Sequence, residues 1–271
     1  MCSNKKIVSK AQIVKNQIIA PDTYALILRL EKIKLAEYVQ PGQFIELNLH
    51  QPDLVLPRPL SVYVCAADSV EVRYQIRGEG TKRLSQMCVG TELSAFGPLG
   101  KSWTVPEDAK SALLIGGGIG SAPLAMLAQE LVGAGIGVTM MQAARSAELL
   151  IACDFFEDVC CLHKIATDDG SRGYQGLITE PLKQLLADEA SVFDVAYICG
   201  PEAMQEACVR ICHAAELLTY VSLERMMACG AGACLTCVVP TTKGLQRVCA
   251  DGPIFDAKEV DWNEARSSRI H

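Results

Sequence analysis

Between residues 70 and 77 apolar and polar side chains alternate one for one: Val70, Val72, Tyr74 and Ile76 interleave with Glu71, Arg73, Gln75 and Arg77. A period of two puts one set on a buried face and predicts a half-exposed strand. Ile45, Leu47 and Leu49 repeat the pattern around Glu46 and Asn48. Residues 24–30 and 60–64 are short apolar runs, and turn signals stand at Pro41-Gly42 and Gly97-Pro98-Leu99-Gly100. Residues 1–102 thus predict short strands joined by turns, an antiparallel barrel or sandwich.

After about residue 103 the rhythm changes. Residues 112–115 form a short apolar run, Gly116-Gly117-Gly118-Ile119-Gly120 follows as a turn, and Leu124, Leu127, Ala128 and Leu131 recur at helical spacing behind Pro123. Further strands are expected at 138–143 and 192–199, the latter ending in Gly200-Pro201 before a helix carrying Met204, Cys208 and Ile211. Repeated strand-helix units over 103–221 predict a parallel sheet with helices on its faces. From 222 to 271 glycine and cysteine dominate and neither period is sustained, so the tail lacks apolar material for a core of its own. The expected architecture is a multi-domain β plus α/β protein with a small C-terminal unit.

A formal charge of −6 offers no basic patch for a row of phosphates, which excludes nucleic-acid binding of the usual kind. The uncharged window 111–129 is interrupted by four glycines of the run and by Pro123, so it reads as strand, turn and helix, not as a membrane span. The opening Met1-Cys2-Ser3-Asn4-Lys5-Lys6 leads into no apolar stretch of a secretory signal, and a cytoplasmic location is expected. His50, His163, His213 and His271 are isolated and read as surface or satisfied histidines.

The sharpest signal is Cys229-x4-Cys234-x2-Cys237-x11-Cys249, four of thirteen cysteines. This is plant-type spacing for a [2Fe-2S] cluster, which needs four thiolates from a loop that wraps it closely. Gly230, Ala231, Gly232 and Ala233 are small enough to allow that. Structural zinc sites more often pair two CxxC knuckles and only one is present, so the cluster is preferred over zinc and over incidental thiols. The glycine run at a strand-helix junction suits a pyrophosphate at a helix N-terminus, although the full G-x-G-x-x-G fingerprint fails. Taken singly, Arg58 reads as a surface cation, Gly80 as a turn, Cys199 as core and Asp169 as a polar loop residue. A short helix is expected to begin near Lys82.

Arg58-Pro59-Leu60-Ser61, Gly80-Thr81, the run 116–120 and Cys199-Gly200-Pro201, in that order, resemble the ferredoxin reductase superfamily over nearly the whole chain. With the four cysteines and Asp251-Gly252-Pro253-Ile254-Phe255 behind them, the chain is similar to the electron-transfer subunits of dihydroorotate dehydrogenase B. The resemblance implies FAD on the barrel (1–102), NAD on the α/β unit (103–221) and a [2Fe-2S] cluster in the last unit (222–271), facing a partner. It implies that Arg58 lies near the FAD phosphates and Ser61 near the isoalloxazine, with Pro59 and Leu60 on that strand. Tyr74 and Gln75 then contact FAD from the next strand, and Gly80 and Thr81 bind its pyrophosphate. Gln75 stands where relatives often carry Arg, which moves the phosphate contact toward Arg73 or Arg77. Cys199, Gly200 and Pro201 fall near the nicotinamide, Asp169-Gly170 lines the NAD site, and Ser61 and Cys199 are the groups nearest the reaction.

The implied partner is an FMN-containing dihydroorotate dehydrogenase catalytic subunit, in a heterotetramer of two of each. A chain filled by three such units has no room for a further catalytic barrel of about 250 residues. The implied route runs from dihydroorotate through FMN, the cluster and FAD to NAD+, in pyrimidine biosynthesis. Related subunits that serve a sulfite reductase, a hydrogenase or a ferredoxin transhydrogenase share these features, and Arg145 at the end of the second α/β strand leaves NADP open.

Overall fold

A computed structural model describes residues 6–31, 38–66, 68–188 and 191–263; His271 and the first five residues lie outside them. Strands β1 (Ile7–Ala20), β2 (Thr23–Leu30), β3 (Phe44–Asn48), β4 (Arg58–Ala66), β5 (Ser69–Gln75) and β6 (Glu92–Leu99) close an antiparallel barrel in the order β1-β2-β5-β4-β3-β6. Closure leaves no open edge and fills the interior with one face of each strand. On β5 the alternation is realised: Val70, Val72 and Tyr74 point into the core with Leu26, Leu28, Ile45 and Val62, while Arg73 and Gln75 face outward.

β3 departs from the half-exposed strand predicted for it. Four of its five residues are buried, Glu46 among them at 3% exposure, because the loop carrying Cys229 and Gly230 covers its outer face. The helix expected near Lys82 starts earlier, as α1 (Glu79–Ser85). Thr81 causes this: its hydroxyl accepts the Arg77 and Gly78 N–H groups at 2.9 and 3.3 Å and so caps the first turn.

The second layer is a seven-stranded sheet ordered β10-β9-β8-β7-β11-β12-β15, parallel except for its last strand. Its members are β7 (Ser111–Gly117), β8 (Gly137–Ala144), β9 (Leu162–Thr167), β10 (Tyr174–Gln175), β11 (Val195–Cys199), β12 (Leu218–Ser222) and β15 (Ile254–Asp256). Helices α2 (Leu124–Gly133), α3 (Cys153–Val159), α4 (Thr179–Ala187) and α5 (Glu202–Ala214) accompany the strands. β11 is buried at every position, as a sheet covered on both faces requires. It begins at Val195, later than expected, because the Asp194 carboxylate turns back to accept the Lys110 and Ser111 N–H groups at 2.8 and 2.9 Å. Gly116 and Gly117, expected in the turn, complete β7 by pairing with Gln142 and Ala143.

After β12 the chain forms the cysteine loop and the hairpin β13 (Val238–Thr241) and β14 (Gly244–Arg247), then returns to the sheet as β15. The tail solves its shortage of apolar residues by sharing: Cys237, Val239, Val248 and Cys249 pack in one cluster with Val221, Cys208 and Val209, and Phe44 and Leu99 of the barrel join them. Trp103 docks edge-on against Tyr197 at 5.4 Å between centroids, an aromatic pair of about 0.5–1.5 kcal/mol that fixes the barrel-to-sheet joint. No helix among the described residues is long and apolar enough to cross a membrane.

Candidate functional site

A groove of about 460 Å3 runs between barrel and sheet. One wall is built by Arg58, Pro59, Leu60 and Ser61 of β4, Arg73, Tyr74 and Gln75 of β5, then Arg77 and Thr81. β4 and β5 run antiparallel with Val62 opposite Val72, so the Arg58 end of β4 lies beside the end of β5 that leads into α1. Arg58 lies directly over Gly80: a Cβ there would overlap its guanidinium. The cation and the glycine-threonine turn, unremarkable alone, thus meet at one corner, where a guanidinium stands at the start of a helix. Tyr74 keeps its ring in the barrel, stacked on Tyr24, and its hydroxyl donates to Asn16 Oδ1 at 3.0 Å. Arg73 lies over the Tyr63 ring, 3.6 Å from the centroid, and donates from Nε to Glu71 at 3.3 Å.

The facing wall comes from the sheet. Ile119, Ala122 and Pro123, which follow β7, line it. Beside them Gly117 and Gly120 pack the end of β7 against the turn after β11: a Cβ on Gly120 would stand 2.6 Å from the Gly200 backbone, and one on Gly117 2.8 Å from Pro201. Gly118 and Gly200 have φ of 54° and 153°, where side chains are strained. The Gln205 amide donates to the carbonyls of Gly200 at 2.7 Å and Ser222 at 3.0 Å, tying this turn to the end of β12. Cys199 is 2% exposed, its thiol pushed well up by burial and further by Glu224. It lies in the core under these turns and not among the residues that line the groove.

The segment 222–227 completes the groove with Leu223, Glu224, Arg225 and Met227 and leads directly to Cys229. Glu224 opens onto the groove, yet enclosure by its walls raises its carboxyl pKa, with Arg77 opposing the shift. Arg225 is held by Glu202 at 3.2 Å. None of these four residues was anticipated, since only the folded chain brings them against β4.

The cysteines stand as two pairs. The Cys234 N–H donates to Cys229 Sγ and the Cys249 N–H to Cys237 Sγ, each at 3.4 Å. Cys234 is exposed, its thiol lowered to about 6 chiefly by hydrogen bonds from Thr236. The backbone N–H of Cys234 lowers Cys229, whereas burial, then Cys237, pushes Cys249 up to about 12. Among the described residues no three His, Cys, Asp or Glu side chains converge on a single ion. Two thiols on each side suit a two-iron cluster better than one tetrahedral metal. Gly230 and Gly232 sit at φ of 55° and 84°, and the Gly230 turn presses on Glu46, whose pKa burial and Cys229 raise to about 7. Arg247 braces the loop by donating from Nη1 to the Gly232 carbonyl at 2.9 Å, with Asp251 gripping its other edge at 2.8 and 3.0 Å. That ion pair lowers the Asp251 carboxyl to about 2.

Comparison with known proteins decides the family. The profile of the iron-sulfur cluster binding domain of dihydroorotate dehydrogenase B matches residues 224–261. The dihydroorotate dehydrogenase B (NAD(+)) electron transfer subunit of Listeria monocytogenes serotype 4a is 38% identical over 262 residues, covering 93% of this chain and 98% of its own. The subunit of the same name from Shouchella clausii is 37% identical over 265 residues, covering 94% and 99%. The chain belongs to the electron-transfer subunits of dihydroorotate dehydrogenase B. A structure of the NADH-dependent reduced ferredoxin-NADP oxidoreductase, described for flavin-based electron bifurcation, superimposes with a TM-score of 0.86 at 29% identity, covering 95% of this chain and 91% of that one.

Outside the cysteine loop the expected site residues fall into three places. The β4, β5 and α1 set meets in the groove, and the glycines of β7 and β11 pack against one another beside it. Asp169 stays apart: its carboxylate accepts the Ser171 N–H and hydroxyl at 2.9 and 2.6 Å, which holds it low, and it lines no cavity described here.

Proposed function

We propose that this subunit carries electrons between a separate FMN-containing dihydroorotate-oxidising subunit and NAD+, with FAD in the groove and a [2Fe-2S] cluster on Cys229, Cys234, Cys237 and Cys249. The observation that carries this reading is the shared wall: Ser222, Leu223, Glu224, Arg225 and Met227 line the groove and the chain runs straight on into the cysteine loop, which supports two neighbouring cofactor sites. When bound, a flavin exchanges single electrons with a cluster and hydride with NAD, which neither of the others can do alone.

The residues divide this work. Arg58, Gly80 and Thr81, with Arg77, are assigned to the FAD pyrophosphate, and Pro59, Leu60, Ser61, Tyr74 and Gln75 to its flavin half. Arg73 stands at the far end of that wall. Ser61 is assigned to the flavin ring, and the turns Gly116–Gly120 and Gly200-Pro201 to the nicotinamide side, with Cys199 in the core beneath them. Glu224 is the one carboxylate among the residues lining the groove, and burial raises its pKa against the opposing charge of Arg77. The units 1–102, 103–221 and 222–271 serve FAD, NAD and cluster in turn, and a heterotetramer with two catalytic subunits is the assembly we assign. A reducing, cytoplasmic setting agrees with the described cysteines, none of which is in a disulfide.

The test is to purify the complex from its host without oxygen and follow NADH formation from dihydroorotate and NAD+. NADH appearing only with dihydroorotate supports the reading, and its absence from a flavin- and iron-loaded complex refutes the donor. A second reading, a reductase subunit serving another partner, is favoured by the likeness to the reduced ferredoxin-NADP oxidoreductase. A strong preference for NADPH over NADH as anaerobic reductant would select it. Arg58→Ala removes a charged hydrogen-bonding partner of about 1.5–3 kcal/mol, so FAD should bind roughly 10- to 100-fold more weakly. Flavin released on gel filtration measures this, with the iron content as the control.

A further inference from the structure

The Glu46 carboxyl lies beneath the cysteine loop with little to hold it there. The residue is 3% exposed, and its Oε1 is buried without a hydrogen-bond partner. Its register partners in the barrel are Pro59 of β4 and Phe96 of β6, whose side chains bring no donor. From outside, the Gly230 turn closes over it: Gly230 has φ of 55°, and a Cβ there would stand 2.5 Å from Oε2 and 2.8 Å from Oε1. Among the described residues no cation pairs with Glu46. Arg247, which braces the loop, is spent on Asp251 and the Gly232 carbonyl. Arg58, the β4 residue before Pro59, donates from Nη2 to the Leu56 carbonyl at 2.7 Å.

We infer that Glu46 sets the reduction potential of the cluster on the four cysteines, its carboxylate holding that potential low. The inference rests on the assignment of Cys229, Cys234, Cys237 and Cys249 as cluster ligands. Native cores leave few polar atoms unpaired, and the exceptions call for a reason such as a redox role. An unpaired charge in a low dielectric acts strongly on its neighbours, because little water screens it. Net charge and hydrogen bonds around the sulfurs are what tune such clusters. The Glu46 oxygens stand at the turn of Gly230, the residue after Cys229, so an electron added to the cluster and the carboxylate repel each other across one turn of backbone. A cluster made harder to reduce in this way gives up its electron more readily once reduced.

A purely mechanical role is the rival, and the opposite side of the loop shows what such support looks like. There Arg247 donates to the Gly232 carbonyl at 2.9 Å while Asp251 fixes the guanidinium. Glu46 Oε1 makes no comparable bond. Removing the Glu46 charge while keeping its shape therefore leaves that brace in place. The position also favours the cluster over the flavin: Phe44 and Pro59 line the groove, whereas Glu46 does not and meets the loop instead.

Redox titration of the purified complex at pH 8.5 tests this, with electron paramagnetic resonance following the reduced cluster and visible absorbance the flavins. Glu46→Gln keeps the shape and removes the charge, and Glu46→Leu removes the polar group altogether. Each should raise the reduced-to-oxidised ratio of the cluster at a fixed potential about tenfold, a shift of about 59 mV for one electron, at unchanged iron content. The flavin ratios should move less than the cluster ratio. A rise of less than threefold in Glu46→Gln overturns the inference and leaves the cluster reading standing, as does a variant in which the flavins move as far as the cluster. If Glu46→Leu loses its iron, Glu46→Gln decides alone: a raised ratio upholds the inference, and an unchanged one reduces Glu46 to a prop for the loop. A parent complex with no iron-sulfur resonance overturns the inference together with the assignment of the four cysteines.

Discussion

Cys234→Ser should yield a protein that keeps its flavin and loses both its iron-sulfur absorbance and its dihydroorotate-to-NAD turnover. Cys234 is the exposed member of its pair, and hydrogen bonds from Thr236 hold its thiol near 6, so it is a thiolate at neutral pH. Serine places in that position an alkoxide precursor many units less acidic and a harder oxygen donor, which iron in a sulfide cluster accepts poorly. The corner of Arg58 and Gly80, proposed for the flavin, belongs to the barrel unit, whose closed core does not include Cys234. Iron and flavin are quantified on the same sample, with visible absorbance and electron paramagnetic resonance of the reduced protein. Full cluster absorbance in the variant would remove Cys234 from the ligand set.

Gly120→Val should have the largest effect on folding. A Cβ at Gly120 meets the backbone of Gly200 at 2.6 Å and of Cys199 at 2.8 Å, so no side chain can rotate out of its way. The ends of β7 and β11 must separate, against a sheet in which Cys199 pairs with Gly116 and Gln205 bridges Gly200 to Ser222. Overpacking of this kind costs about 1–3 kcal/mol and sometimes more. The expected result is a lower urea midpoint together with weakened NADH binding, because the deformed turns are those proposed for the nicotinamide side. Gly133→Ala is the matched control: nothing lies within 4 Å of its Cβ at the end of α2, and a change within about 0.5 kcal/mol is expected. An unchanged midpoint for Gly120→Val would show that the two turns are not packed as described.

The alternation on β5, the buried run of β7 and the cysteine spacing were all legible in the sequence, because each is a local pattern whose period or spacing survives without the rest of the chain. β3 shows the limit of that legibility. Its alternation is as regular as that of β5, yet Glu46 is buried, because the surface covering it is built by residues more than 180 positions later. The tail is similar: composition shows that it cannot core itself, but not that Phe44 and Leu99 of the barrel will join its cluster.

The chemistry proposed for this protein was therefore set by the sequence itself, through four thiols at the spacing expected of a two-iron cluster and glycines where strands end. The tertiary structure alone decided which groups meet. It laid Arg58 over Gly80, set Glu224 and Arg225 across the groove from β4, locked Arg247 onto Asp251 behind the cysteine loop, and left Asp169 outside. The physical reason is that periodicity reports which face of an element is buried, whereas the partner on that face depends on strand order and on how barrel, sheet and tail share one core.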